Sequence, residues 1–354
     1  MESSRDIWNR LLNAGLVEGE EPPKLEAKSP WYVKLLLALS GWAGALFLVL
    51  FVGGSLVLVL GQGIERIPVL LTLIGGGVIF FAYTIFKEKQ SEFLEHFMLA
   101  LSVAGQAMVI ASIFFMMDGG SSRGSIYLFI FFFQAFLMWL IPNYIHRVLS
   151  SFFMGLSLIY LFYTTYEYHL VSMILTSVVA WLWMSEFKFS DHSRVEAIAY
   201  GQTGALVWKN YFFMVVPYSY REYQAPLFTY ELSLFGLLIT LSYVIWMLLK
   251  ESQKLEDKRV LILSAVAVVL LALFSLNIGS LIVGVILLLI GYAHSHRLLI
   301  GLGVISSLVS LSHYYYFTGE TFMAKAGLLL MLGAGLLLSR FVMKLVLKKE
   351  LKDV

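Results

Sequence analysis

The chain contains no cysteine. Disulfides, thiolate metal sites and cysteine nucleophiles are therefore excluded, while the compartment stays open. Charge is scarce too, at 14% of residues, against about 25% in ordinary soluble domains. The net charge of +2 is too small to attract a nucleic acid, because the basic residues come in short clusters between apolar runs. No HExxH, GxSxG or Walker loop is present. The first outer connection, GQGIERI, is too short to carry the paired acids of a membrane glycosyltransferase. His294 and His296 lie two apart with no third ligand near them in sequence, so neither a metal site nor another cofactor is expected. A rhomboid-like serine–histidine pair stays open, although nothing singles one out among the serines and seven histidines. A cleavable signal is not expected, since the first thirty or so residues are polar and the first apolar run is too long.

What the chain has is apolar surface. Hydrophobic residues make up 59% and the mean hydropathy is +0.82, which implies an all-α, polytopic transmembrane helical bundle. Twelve runs approach the ~20 residues that cross ~30 Å of hydrocarbon. They are 34–60, 67–86, 93–117, 125–142, 148–165, 168–185, 195–216, 231–249, 260–276, 278–294, 298–317 and 321–347. The seventh is the least apolar, because it carries Lys209 and Asn210. Three segments follow: a cytosolic stretch 1–30, a transmembrane domain 31–347 and a basic tail 348–354. In the first, Ser3 and Asp6 suit a helix start, Ile7, Trp8, Leu11 and Leu12 share one face, and Gly15 suits a stop. That short helix fits either a cover for the cytosolic loops or a docking helix anchored by Trp8.

Charge bias sets the orientation, because basic residues accumulate on the cytoplasmic side. With twelve spans and an inside N-terminus, all but five of the 25 Lys and Arg residues are cytoplasmic. The exceptions are Arg66, Arg123, Lys209 and Arg221 in outer segments, and Lys325 inside the last span. Both termini are then cytoplasmic.

The outer segments are mildly acidic and rich in tyrosine, as in YTTYEYH, HYYYF and the run holding Tyr218, Tyr220 and Tyr223. Many of these rings suit the headgroup belt, but the last run lies between Pro217 and Pro226 in the longest outer loop. A sugar, a lipid headgroup or a partner protein could dock there. Glycines at 41, 44, 53, 54, 75–77, 327, 333 and 335 would let helices approach closely. Gln106, Gln134 and Gln202 fall within spans, as interhelical hydrogen-bond partners or part of a solute path. Lys325 lies about one turn into the last span and can snorkel towards Glu320. Alternatively it is held in the bundle with His313 and the hydroxyls of Tyr314, Tyr315 and Tyr316.

Two weak internal echoes suggest a parallel repeat. Glu95-His96 precedes Gly105-Gln106 by the spacing at which Asp191-His192 precedes Gly201-Gln202, and IHRVL at 145–149 matches SHRLL at 295–299. The two offsets differ, so one period does not explain both.

FLEHFMLALSVAGQAMVI, LIPNYIHRVLSS, GYAHSHRLLIGLG, HYYYFTGETFMAKAGLLLMLGAGLLLSR and the N-terminal WNRLLNAGLV with SPWYVKLLLALSGW resemble the recurrent blocks of one family. It is a bacterial family of polytopic inner-membrane proteins known only as a domain of unknown function. The resemblance spans nearly the whole chain. It implies a partner and no known activity: the family's gene often lies beside one for a small membrane-anchored GDYxxLxY-type protein, a motif this chain lacks. Two classes stay open: a carrier for a small solute or membrane lipid, and a non-catalytic subunit or sensor that binds a partner at the outer face. FKEKQSEF lacks the Gly-Asp-Arg type motif of the major facilitator superfamily.

Overall fold

Each of the twelve apolar runs forms a helix. A computed structural model describes residues 8, 10, 12–14, 30–60, 67–87, 91–116, 123–164, 167–215, 227–276 and 278–350. Among these, the helices are α1 (Trp31–Leu60), α2 (Ile67–Phe86), α3 (Glu92–Met116), α4 (Arg123–Leu140), α5 (Tyr144–Thr164) and α6 (Tyr168–Ser185). They continue as α7 (His192–Val215), α8 (Leu227–Glu251), α9 (Lys258–Ser275), α10 (Leu281–Ala293), α11 (Arg297–Phe317) and α12 (Phe322–Glu350). No strand occurs among the described residues. Trp8, Arg10, Leu12 and Asn13 are helical, within the expected N-terminal helix.

Among the described residues, eight helices are long and apolar enough to cross a membrane, and α6, α10 and α12 contain shorter apolar stretches. The chain is a multi-pass integral membrane protein. Its helix starts follow from local chemistry. The Asn143 carboxamide accepts the His146 amide at 2.9 Å ahead of α5, and Asp257 accepts the Arg259 amide at 2.9 Å to cap α9.

The helices form two compact units, Met1–Ile64 with Gly75–Gln106, and Glu65–Ile74 with Ala107–Val354. In the first, Ala45, Ala82, Met98, Ala100 and Leu101 make a small core. Gln106 is buried there, and Lys34 pairs with Glu92 at 3.1 Å. Gly41 packs against the α3 backbone, but Gly53, Gly54, Gly76, Gly77, Gly327 and Gly333 have no described neighbour within 4 Å of an added Cβ. The close packing expected of that glycine set therefore holds at few of its positions.

The second unit centres on α7, which lies along α5 and against α6 and α11. Its core joins Leu175, Trp183, Leu206, Leu241, Ile282, Ile286 and Ile290. The polar helix is inside and the apolar ones surround it. That order follows from the bilayer, where an amide or ammonium facing lipid costs several kcal/mol while one facing another helix can find a partner. Helix α10 is also interior, with Ile282, Val283, Ile286, Leu287 and Ile290 fully buried. At 13 residues it is ~20 Å long, the length of a core helix rather than a lipid-facing span.

Candidate functional site

Polar side chains form a row along α7 that winds round the helix: Tyr200 and Thr203 near its start, then Lys209 and Asn210 ~10 Å further on. Asn210 lies on the Thr203 face, and Lys209 is turned about 100° round towards α6. Thr203 is fully buried; its hydroxyl donates to the Ala199 carbonyl at 2.7 Å and accepts the Trp183 indole N–H at 3.1 Å. Lys209 is 7% exposed, and its ammonium donates to the Ser172 hydroxyl of α6. Asn210 donates through Nδ2 to Ser306 of α11 at 2.8 Å. Ser172 and Thr176, one turn apart on α6, share a face. Two polar atoms in these helices, Asn210 Oδ1 and Thr176 Oγ1, are buried without a hydrogen-bond partner among the described residues. Buried orphans of this kind are costly in a folded protein. The charge count places Lys209 with the outer segments although it falls within the seventh run, 195–216; it is buried near the far end of α7, turned towards α6.

A second group gathers where the α6–α7 and α10–α11 turns meet. Glu186, 1% exposed, faces His192 Nδ1 at 3.4 Å and His296 Nε2 at 3.5 Å. The Trp183 ring packs on Tyr200 at 4.8 Å and on His296 at 5.1 Å between centroids. His296 gets there through a tight stop to α10, in which its amide bonds the Gly291 carbonyl at 2.9 Å and Ser295 adopts φ 58°. That is a Schellman arrangement with serine at the left-handed position where glycine is usual. His296, one of the two histidines noted in sequence, thus meets a carboxylate 110 residues away. Among the described residues, no three His, Asp or Glu side chains form a group that could hold a metal.

The other sequence candidates are scattered. Gln202 joins α7 to α5, donating to the Ser151 carbonyl at 2.7 Å and its hydroxyl at 3.1 Å. Gln134 is fully buried in α4. Lys325 donates to the carbonyls of Tyr315 at 2.9 Å and Thr318 at 2.7 Å. Its ammonium thereby caps the carbonyl end of α11, where a cation is favoured. Tyr314 is buried against Ile278 and Leu281, Tyr316 is 70% exposed, and Tyr315 packs edge-on against Tyr316. His313 is half-buried and Glu320 exposed. Tyr218, Tyr220 and Tyr223 lie outside the described residues.

A family model described as a domain of unknown function (DUF4401) matches residues 30–346. The chain belongs to the DUF4401 family. No curated protein and no solved structure matches it. Lys209 and Glu186 are the residues that sequence reasoning passed over. The signal for Lys209 was present, as a lysine and an asparagine together in an otherwise apolar run. Glu186 had no comparable local signature.

Proposed function

We propose that this DUF4401 protein is a carrier of the bacterial inner membrane that passes a small solute or lipid headgroup along the polar row of α7. Lys209 carries the reading. An ionisable group kept beneath the bundle surface, rather than snorkelling to water, is costly to maintain and is the usual mark of a solute or ion path. An ammonium with hydroxyls and a carboxamide nearby suits a negatively charged or strongly hydrogen-bonding group. Native mass spectrometry of the detergent-extracted chain tests it. A bound small molecule or lipid should be present, and Lys209→Met should lower its occupancy at least about tenfold, the scale of one lost charged contact. Equal occupancy in Lys209→Met would sink the role of the lysine.

Charge bias supports twelve crossings with both termini in the cytoplasm. The shortness of α10 makes the point worth testing. A reporter fused after Val354 should be active only in its cytoplasm-specific form. A periplasmic signal would mean an odd number of crossings after the N-terminus.

The tyrosine run around Tyr218, Tyr220 and Tyr223 favours a second reading, a non-catalytic subunit or sensor holding a small GDYxxLxY-type protein at the outer face. In the same spectra, a stoichiometric small protein without any small molecule would favour this reading over the carrier.

A further inference from the structure

Glu186 is a buried carboxylate that faces two imidazoles. It is 1% exposed, whereas His192 is 47% and His296 23% exposed, so both rings reach solvent while the carboxylate does not. Each oxygen has its own imidazole: Oε1 faces His192 and Oε2 faces His296. Oε2 makes no hydrogen bond among the described residues, so its contact with His296 is favourable chiefly when that ring is charged. With a neutral ring, the buried oxygen would be left with neither charge nor hydrogen bond, which is expensive.

We infer that Glu186, His192 and His296 form a proton-binding latch at the basic end of the second unit, whose protonation controls entry to the polar row of α7. The ligand is the proton, and the added function is coupling of solute movement to proton movement. The inference rests on the carrier reading. Its chemistry is a simple transfer: an imidazole nitrogen lone pair takes a proton from hydronium, forming one N–H bond and releasing water, and the reverse step returns it. Imidazole changes charge between about pH 5 and 8.

The geometry ties this charge to movement. Glu186 sits in the α6–α7 turn, His192 begins α7, and His296 precedes α11. The latch therefore joins three elements. Trp183, packed on His296, also covers Thr203, the first fully buried hydroxyl of the row. When both rings lose their protons, the carboxylate loses its counter-charge, His296 separates and Trp183 no longer has its support.

Other charged and titratable groups surround the latch. Tyr144 and Arg147 come from α5; Arg194, Glu196 and Tyr200 come from α7, and Asp191 from the turn before it. His294 and Arg297 flank His296. Arg194 is held by Asp191 at 2.9 Å, Arg147 interacts electrostatically with both, and Tyr144 hydrogen-bonds Glu196. Among the described residues, the groups in ion-pair range of the carboxylate are the two imidazoles.

The absence of cysteine makes a direct test simple. Thr176→Cys puts one thiol on the buried face of α6, and Ser252→Cys puts one on an exposed turn as the reference. The full chain is reconstituted in liposomes and treated with a charged, water-soluble methanethiosulfonate from either side. Relative to the reference, labelling at residue 176 should rise about tenfold from about pH 5.5 to about pH 8. Adding Glu186→Gln should abolish that dependence, and His296→Gln should give fast labelling at both pH values. Labelling that does not vary with pH, or that keeps its dependence in Glu186→Gln, overturns the latch and leaves the carrier standing. No labelling from either side while residue 252 reacts overturns both.

Discussion

Gly201→Ala should destabilise the protein by about 3 kcal/mol, enough to remove most of the folded material from a detergent extract. An added Cβ would meet the Val148 carbonyl, Ser151 Cβ at 2.6 Å and the Phe152 amide nitrogen at 2.8 Å. Two of these are backbone atoms of α5, so a side-chain rotation cannot relieve the contact. The helices must separate, and the bonds that depend on their closeness go with them. Gln202 donates to Ser151, and the Ser151 hydroxyl donates to the Ile198 carbonyl at 2.9 Å. Gly301→Ala is the matched control, because nothing lies within 4 Å of that position. It should be neutral or stabilising by about 0.5 kcal/mol, as alanine is the better helix former. Thermal unfolding followed by size-exclusion fluorescence would compare them. Equal midpoints for the two variants would show that α5 and α7 do not meet at Gly201.

Trp183→Ala should cost about 3–5 kcal/mol, the usual range for emptying a large buried aromatic site. Trp183 is fully buried and joins Tyr200, His296 and Thr203, so the hole would open beneath two turns and a helix. Trp183→Phe should cost only about 1–2 kcal/mol. It keeps a ring between Tyr200 and His296 and loses the indole N–H, while the Thr203 hydroxyl still donates to Ala199. The separation between the two variants is the informative quantity, and unfolding midpoints in one detergent would provide it. Equal losses would make the indole hydrogen bond, not the ring packing, the source of stability.

The helices were legible because each apolar run is bounded by charges, glycines or prolines, and a bilayer leaves a chain few other structures to adopt. The ends agree within a few residues for most; α10 is shorter than its run because its first residues form a turn near the buried Ile278. Both glycines of the echo lie against a neighbouring helix. An added Cβ at Gly105 would lie 2.8 Å from the Gly75 carbonyl of α2, and Gly201 meets a carbonyl of α5 in the same manner. The candidate site was less legible. Lys325 drew notice for its neighbours in sequence, yet its ammonium serves the end of the preceding helix. Glu186 and His296 come together only through tertiary packing, which no local pattern encodes. Lys209 was counted by the charge of its segment, whereas its position depends on which face of α7 turns inward.

The inward placement of α7 also bears on how the chain is made. A segment with Gln202, Lys209 and Asn210 has little reason to leave the protein-conducting channel for lipid by itself, since a lysine costs up to about 2.5–3.5 kcal/mol at the centre of a span and several polar groups here add together. Its natural acceptor is the groove between α5 and α6, which are synthesised just before it and supply Ser151 and Ser172. Entry of α7 is then an act of pairing rather than of partitioning. A ribosome-bound chain extended far enough past Val215 for α7 to clear the exit tunnel should already hold α7 if α5 is intact, and should fail to retain it if the Gly201 seam is closed off.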